Sequence, residues 1–182
     1  MPTDTIWRMN EATRAFLVAL DISGFSNDVD LDQLQNHRGN FFNAVSETRL
    51  FPEASINRIV KVHFLGDELR LAFRAEIRAR EIRNFIDDVF AGLEQINRRV
   101  REPFRTRIKG VVFEGVVTWR DFLGCPYLNG NLPIQAQIWM SFLDPDRVAI
   151  NEAFRLCLQD DGIATHELRA FDCPGGKGYF LH

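Results

Sequence analysis

Apolar residues fall along the chain in blocks whose spacing alternates between strand-like and helix-like. The first, Phe16 to Asp21, reads as a buried strand that runs into an aspartate and then into "ISGFS", a turn of small residues around one phenylalanine. Leu31 to Leu50 predicts a helix with Leu34, Phe41, Phe42 and Val45 toward the core, closed by Pro52. The longest periodic signal spans Glu76 to Arg101. There Ile82, Phe85, Ile86, Val89, Phe90, Leu93, Ile96 and Val100 recur every three or four residues until Pro103 stops the helix. Arg107 to Thr118 is strand-like, Ile134 to Phe142 predicts a helix, and Arg147 to Ile150 and Tyr179 to Leu181 predict short strands.

A two-residue turn at Gly66 and Asp67 folds Ile59 to Arg74 into a hairpin with a testable register. It places Phe64 opposite Leu69, Val62 opposite Leu71 and Val60 opposite Phe73, all apolar pairs. The other face pairs Leu65 with Glu68, His63 with Arg70, Lys61 with Ala72 and Ile59 with Arg74, which turns His63 away from the core. The order strand, helix, hairpin, helix, strand predicts a ferredoxin-like (βαββαβ) α+β sandwich, with helices on one face and the other face free to bind. No repeat or long Gly/Ser-rich linker divides the chain, so residues 1–182 are expected to form a single domain.

At 182 residues and 46% hydrophobic, the chain can fill one full-sized core. Its formal net charge of -3 argues against a general nucleic-acid binder, so an anionic ligand would have to be held locally. Cys125, Cys157 and Cys173 are odd in number and lack paired metal-type spacing, and the first residues, "MPTDTIWRMNEATR", have no apolar signal core. No apolar run approaches the roughly 20 residues a spanning helix needs. The expectation is a cytoplasmic protein with no membrane partner.

Asp21 ends the first strand and Asp67 sits at the hairpin tip, and neighbouring strands lie about 4.8 Å apart, so the two carboxylates can meet. Two unit charges about 4 Å apart repel by about 4 kcal/mol at an effective dielectric near 20, and a close pair therefore calls for a cation or a shared proton. Hard oxygen ligands of this kind suit Mg²⁺ or Mn²⁺, which also bridges to phosphates. Gly24 then permits a tight turn whose amides, with the Ser26 hydroxyl, can cup a polyphosphate. The blander alternative makes Asp21 a turn residue, Asp67 the polar half of a Gly-Asp hairpin, and Ser26 a helix cap.

These residues resemble the catalytic domain of class III nucleotidyl cyclases, the adenylate and guanylate cyclase family. The family's strand followed by Asp, Ile, a small residue, Gly, Phe and Thr or Ser is matched by "LDISGFS", and its second metal aspartate by "FLGDELRLAF". Further on, "RIKGVVFEGVV", "DPDRVAINEAF" and "GGKGYFL" resemble later family segments, so the likeness runs in order from about Phe16 to Leu181. It implies two divalent metal ions, Mn²⁺ or Mg²⁺, held by Asp21, the Ile22 carbonyl and Asp67. Ile22, Gly24, Phe25 and Ser26 would line the triphosphate site of a ribonucleoside triphosphate. Arg107, or Arg105 in its place, and Lys177 stand where the family supplies positive charge to the phosphates. The resemblance further implies a homodimer with composite active sites.

Two departures from the family pattern carry information. The residues that read the purine edge are a lysine or glutamate paired with an aspartate or cysteine; here they are His63 and Tyr127. A site built to hydrogen-bond one base rejects others, so changing both readers points to a different base. The asparagine and arginine that stabilise the transition state align with Ile134 and Ile138, while a slip of one residue would bring in Gln135, and Arg120 or Asn131 are further substitutes. The small, free-standing Pycsar pyrimidine cyclases of bacterial anti-phage defence are similar in size and in altered base readers. The expected function is conversion of UTP to 3′,5′-cyclic UMP and diphosphate, with a cytidylate cyclase or a catalytically silent nucleotide-binding domain as alternatives. A ferredoxin-like RNA-binding module is weaker, since the chain is acidic and lacks an aromatic RNP-type strand.

Overall fold

The computed structural model describes residues 7–24, 31–123 and 125–181. Burial explains the unbroken apolar run of β1 (Ala12–Ile22), whose residues from Ala15 to Leu20 are covered on both sides of the sheet. Phe16, Val18, Leu20 and Ile22 face one hydrophobic core, and Ala15, Leu17 and Ala19 face a second.

The helix expected from Leu31 to Leu50 is two helices, α1 (Leu31–Ser46) and α2 (Leu50–Ile56). Pro52 does not close a helix; it stands in the first turn of α2, where its missing N–H leaves no intrahelical bond unmade. At the break, the buried Thr48 hydroxyl donates to the Val45 carbonyl at 2.8 Å and accepts from the Phe51 amide at 3.4 Å.

The hairpin of β2 (Val60–Leu65) and β3 (Glu68–Arg74) has the expected register at every pair from Val60–Phe73 to Leu65–Glu68, turning at Gly66 with φ of 66°. Its two faces differ from expectation in one respect each. Phe64 is half exposed at the tip, edge-on to Phe42 with ring centroids 5.1 Å apart, while Arg70 on the polar face is buried. Sheet-covering α3 (Ala79–Asn97) is shorter than its hydrophobic pattern: the Arg78 amide donates to Glu81 at 3.0 Å at its start, and Pro103 lies beyond its end in a 3-10 turn, Glu102–Phe104.

β4 (Ile108–Phe122) outruns the expected strand and continues into β5 (Cys125–Asn129), which was not anticipated. Then follow α4 (Asn131–Met140), β6 (Val148–Asn151), α5 (Glu152–Asp160), β7 (Ala170–Cys173) and β8 (Gly176–Phe180). Neither α5 nor β7 was expected; both are short. The sheet runs β2-β3-β1-β4-β6-β8-β7, with β5 paired to β4. Its first four strands are antiparallel neighbours, which is the ferredoxin-like arrangement within a larger α+β sandwich.

The second face is not free along its whole width. Trp139 of α4 lies edge-on to Phe113 at 4.8 Å, its indole N–H donates to the Pro174 carbonyl at 3.0 Å, and Ala136 and Met140 join the same core as Leu17 and Val111. Helix α4 therefore roofs the β1–β4 half, opposite α1, α3 and α5, and His63 and Arg70 lie toward the β2–β3 edge. Gly110 allows β1 and β4 to meet closely, since a Cβ there would stand 2.5 Å from Leu20 and 2.7 Å from the Ala19 carbonyl. Among the described residues, no helix is long and apolar enough to cross a membrane.

Candidate functional site

The end of β1 and the β2–β3 turn are joined through the backbone: the Ile22 amide donates to the Asp67 carbonyl at 3.3 Å. This brings the two aspartates together. Burial, and next the negative charge of Asp67, push the Asp21 carboxyl up to about 6 from an ordinary value of 3.8, while Lys109 opposes the rise with its ammonium 3.8 Å away. Glu68, the cross-strand neighbour of Asp21, adds negative charge, and Lys109 is the neighbour on the other side. Lys109 and Glu68 were not singled out from the sequence. The register carried the signal, because both stand directly opposite Asp21.

The turn after Ile22 is anchored from below. The Ser23 amide donates to the Arg107 carbonyl at 2.8 Å, and Gly24 takes a φ of 79°. Arg107 is set by buried Thr106, which exchanges backbone hydrogen bonds of 2.8 Å with the Asn97 side chain. The Thr106 hydroxyl also meets Asn40 at 3.2 Å and His37 at 3.1 Å, tying α1 and α3 to the base of the site. The Ser23 hydroxyl is buried without a hydrogen-bond partner among the described residues. Phe25 and Ser26 lie outside the described residues.

Of the other candidates, His63 lies next to the aspartates in the sheet, in a row running from His63 to Arg70 to Ala19 beside the row Leu65, Glu68, Asp21 and Lys109. Its Nδ1 is buried and unpartnered among the described residues. Arg70 is bound to Glu68 through Nε and, at 3.0 Å, through Nη2. Tyr127 sits on β5 opposite Arg120, on the side of that hairpin away from buried Trp119 and Leu128. The arm itself curls toward β2: the two strands approach within 8 Å, and the Lys61 ammonium rests 5.2 Å from the Trp119 ring centroid.

The arginines point elsewhere. Arg107 pairs with Asp146 at 2.6 Å and Arg105 with Glu102 at 2.5 Å, and both line a cleft of about 980 Å³ along α3. Lys177 is on β8, three strands from β1, with its ammonium 5.9 Å from the Tyr179 ring centroid. On α4, Ile134 and Ile138 are exposed, in line with exposed Phe142. Gln135 turns away from that line and donates to the Gly175 carbonyl at 3.3 Å.

Among the described residues, no three His, Cys, Asp or Glu side chains converge as metal ligands. The donor set at the aspartates is two coupled carboxylates and a strand-end carbonyl. That set fits Mg²⁺ or Mn²⁺, which keep water and take substrate phosphate oxygens for their remaining positions, and does not fit a closed structural zinc site.

No protein-family model matches the chain, and no curated protein matches it in sequence. Solved structures do match in fold. The guanylyl cyclase Cya2 superposes with a TM-score of 0.69 at 11% identity, covering 95% of this chain and 93% of that one. The guanylate cyclase domain of RhGC from Catenaria anguillulae, in complex with GTP, gives 0.67 at 16% identity over 94% and 98%. The adenylyl cyclase CyaB from P. aeruginosa gives 0.62 at 14% identity over 94% and 96%. The chain thus has the fold of adenylyl and guanylyl cyclase catalytic domains.

Proposed function

We propose that residues 1–182 form a single cytoplasmic nucleotidyl cyclase domain that converts UTP to 3′,5′-cyclic UMP and diphosphate, with CTP as the alternative substrate. The observation that carries this reading is the coupling of Asp21 to Asp67 at the end of β1, within a fold shared with purine nucleotide cyclases. Asp21, Asp67 and the Ile22 carbonyl would hold two divalent cations. When bound, these supply acidity to the ribose 3′-hydroxyl and neutralise the leaving diphosphate.

The chain's own residues do the rest. Asp21 and Asp67 would place the triphosphate end only through the cations they hold, and because the Ile22 and Ser23 amides already donate to the Asp67 and Arg107 carbonyls, the Gly24 amide with Phe25 and Ser26 would be left to meet the phosphates. Arg107 and Lys177 would add positive charge, Arg107 after leaving Asp146. Within one chain Lys177 lies three strands from β1, which supports a homodimer in which each site draws on both copies. His63 and Tyr127 would then read the base for the aspartates of the other chain. Their departure from the purine pattern supports a pyrimidine and a role like that of the small pyrimidine cyclases of anti-phage defence.

The exposed Ile134 and Ile138 favour a second reading, a cyclase-like domain that binds nucleotide without turnover, because neither side chain can donate to a developing charge. One experiment separates the two. The purified protein and Asp67→Ala are each incubated with Mn²⁺ and one of the four ribonucleoside triphosphates, and products are identified by mass. A single cyclic pyrimidine nucleotide, absent from the variant, is the expected result. A purine product would overturn the specificity, and no product from any triphosphate would overturn the enzyme.

A further inference from the structure

The polar face of the β2–β3 hairpin holds one residue that the site as described does not use, and one atom of a base reader left without a partner among the described residues. Arg70 stands directly opposite His63 and is only 6% exposed, with its guanidinium held by Glu68 through Nε and Nη2. Beside it, the His63 Nδ1 is buried with no partner among the described residues. Leaving a buried polar atom unpaired is unfavourable, and such atoms in native proteins call for an explanation. An incoming ligand group is one.

We propose that Arg70 reads the base together with His63, donating to the O4 carbonyl of uracil while the His63 Nδ1 accepts from N3–H. This deepens the pyrimidine cyclase reading and rests on it. Depth assigns the two positions. Arg70 is the more buried of the pair, so it meets the end of the base farthest from the ribose, and His63 meets the ring nitrogen before it. Burial, and next the neighbouring Arg70 charge, hold His63 toward its neutral form, which retains one acceptor nitrogen.

The asymmetry between the two residues gives the discrimination. A neutral imidazole can exchange donor and acceptor by changing tautomer, whereas a guanidinium only donates. Cytosine places an amino group where uracil has O4, and that group faces Arg70 donor to donor. Arg70 therefore selects the keto base. Guanine also presents a carbonyl beside a ring N–H, so the test includes it.

The full chain with Mn²⁺ is titrated calorimetrically with 3′-deoxy-UTP, 3′-deoxy-CTP and 3′-deoxy-GTP, which lack the attacking hydroxyl and report binding without turnover. Arg70→Met is expected to weaken 3′-deoxy-UTP by about tenfold or more and 3′-deoxy-CTP by no more than about twofold. Arg70→Lys, which keeps the charge without the fork, should fall between. His63→Ala leaves the Arg70–Glu68 pair in place and should weaken 3′-deoxy-UTP and 3′-deoxy-CTP alike while keeping the preference for 3′-deoxy-UTP, and Arg70→Lys keeps the proposal testable if Arg70→Met does not fold. Equal weakening of all three nucleotides by Arg70→Met, or by Arg70→Lys in its place, would make Arg70 structural and overturn the proposal. A wild-type preference for 3′-deoxy-GTP that vanishes in Arg70→Met would overturn the uracil assignment and the pyrimidine reading while keeping Arg70 as a reader. Unselective binding by the wild type would overturn Arg70's role and the pyrimidine specificity while keeping nucleotide binding, and no binding would overturn the nucleotide site as well.

Discussion

Replacing Asp21 by asparagine should stabilise the metal-free protein at neutral pH. The carboxyl titrates near 6 when folded, against an ordinary 3.8, so the fold favours its protonated form. A group with a raised carboxyl pKa lends stability below its unfolded value and loses it as pH rises through its folded value; above pH 6 the ionised Asp21 is a cost. Each pH unit between the two titrations is worth about 1.4 kcal/mol, which sets a ceiling of about 3 kcal/mol. Asp21 is 22% exposed on the rim of the sheet, and solvent screening brings this down to about 1–2 kcal/mol. The opposing 3.8 Å contact with Lys109 is already contained in the net rise.

The expected net gain is about 1 kcal/mol, or about 2–4 °C in Tm for a chain of this size. It should be present at pH 7.5 and gone by pH 4. Thermal denaturation of wild type and Asp21→Asn across this range in EDTA reads it directly. Adding Mn²⁺ should raise the wild-type Tm and move the variant less, because a ligand that binds only the folded state stabilises by mass action. A lower Tm for the variant at pH 7.5, or a gain that persists at pH 4, would refute the argument that Asp67 and burial strain this carboxylate.

Other outcomes follow from separate parts of the structure. Gly110→Ala should cost about 1–3 kcal/mol in chemical denaturation, because the added methyl meets the Ala19 carbonyl at 2.7 Å and backbone cannot step aside cheaply. A neutral result would mean that β1 and β4 are farther apart. Asn97→Ala should cost about 2 kcal/mol or more by orphaning the buried Thr106 backbone groups, and should speed amide exchange at Ser23 through the loosened Arg107 carbonyl, as hydrogen-exchange mass spectrometry would show. If the exposed face of α4 meets substrate across a dimer, Ile134→Asn with Ile138→Arg should raise turnover by about a hundredfold or more, since even one restored donor is worth about 3 kcal/mol. Unchanged turnover would remove α4 from the site.

Local chemistry in the sequence was enough for the hairpin. With a two-residue turn at Gly66 and Asp67, side-chain alternation leaves one register that keeps Val60, Val62, Leu69, Leu71 and Phe73 on a single face, and the fold adopts it. The strand ending at Asp21 and the apolar stripe of α3 were legible for the same reason, because each follows from spacing within one element. What lies across elements was not. Lys109, Glu68 and Arg70 matter because of the strands beside them, and no local period marks a cross-strand neighbour until strand order is known. Short β5, β7 and α5 carry too few residues for a period; β5 and β7 are held in hairpins with β4 and β8, and α5 by a partner distant in sequence, Phe154 beside Phe16. The roof that α4 lays over the second face depends on Trp139 finding Phe113 and Pro174. Patterns of one and a half turns or one strand are written in neighbouring residues, while the charges around Asp21 are set by which strands the twisted sheet places side by side.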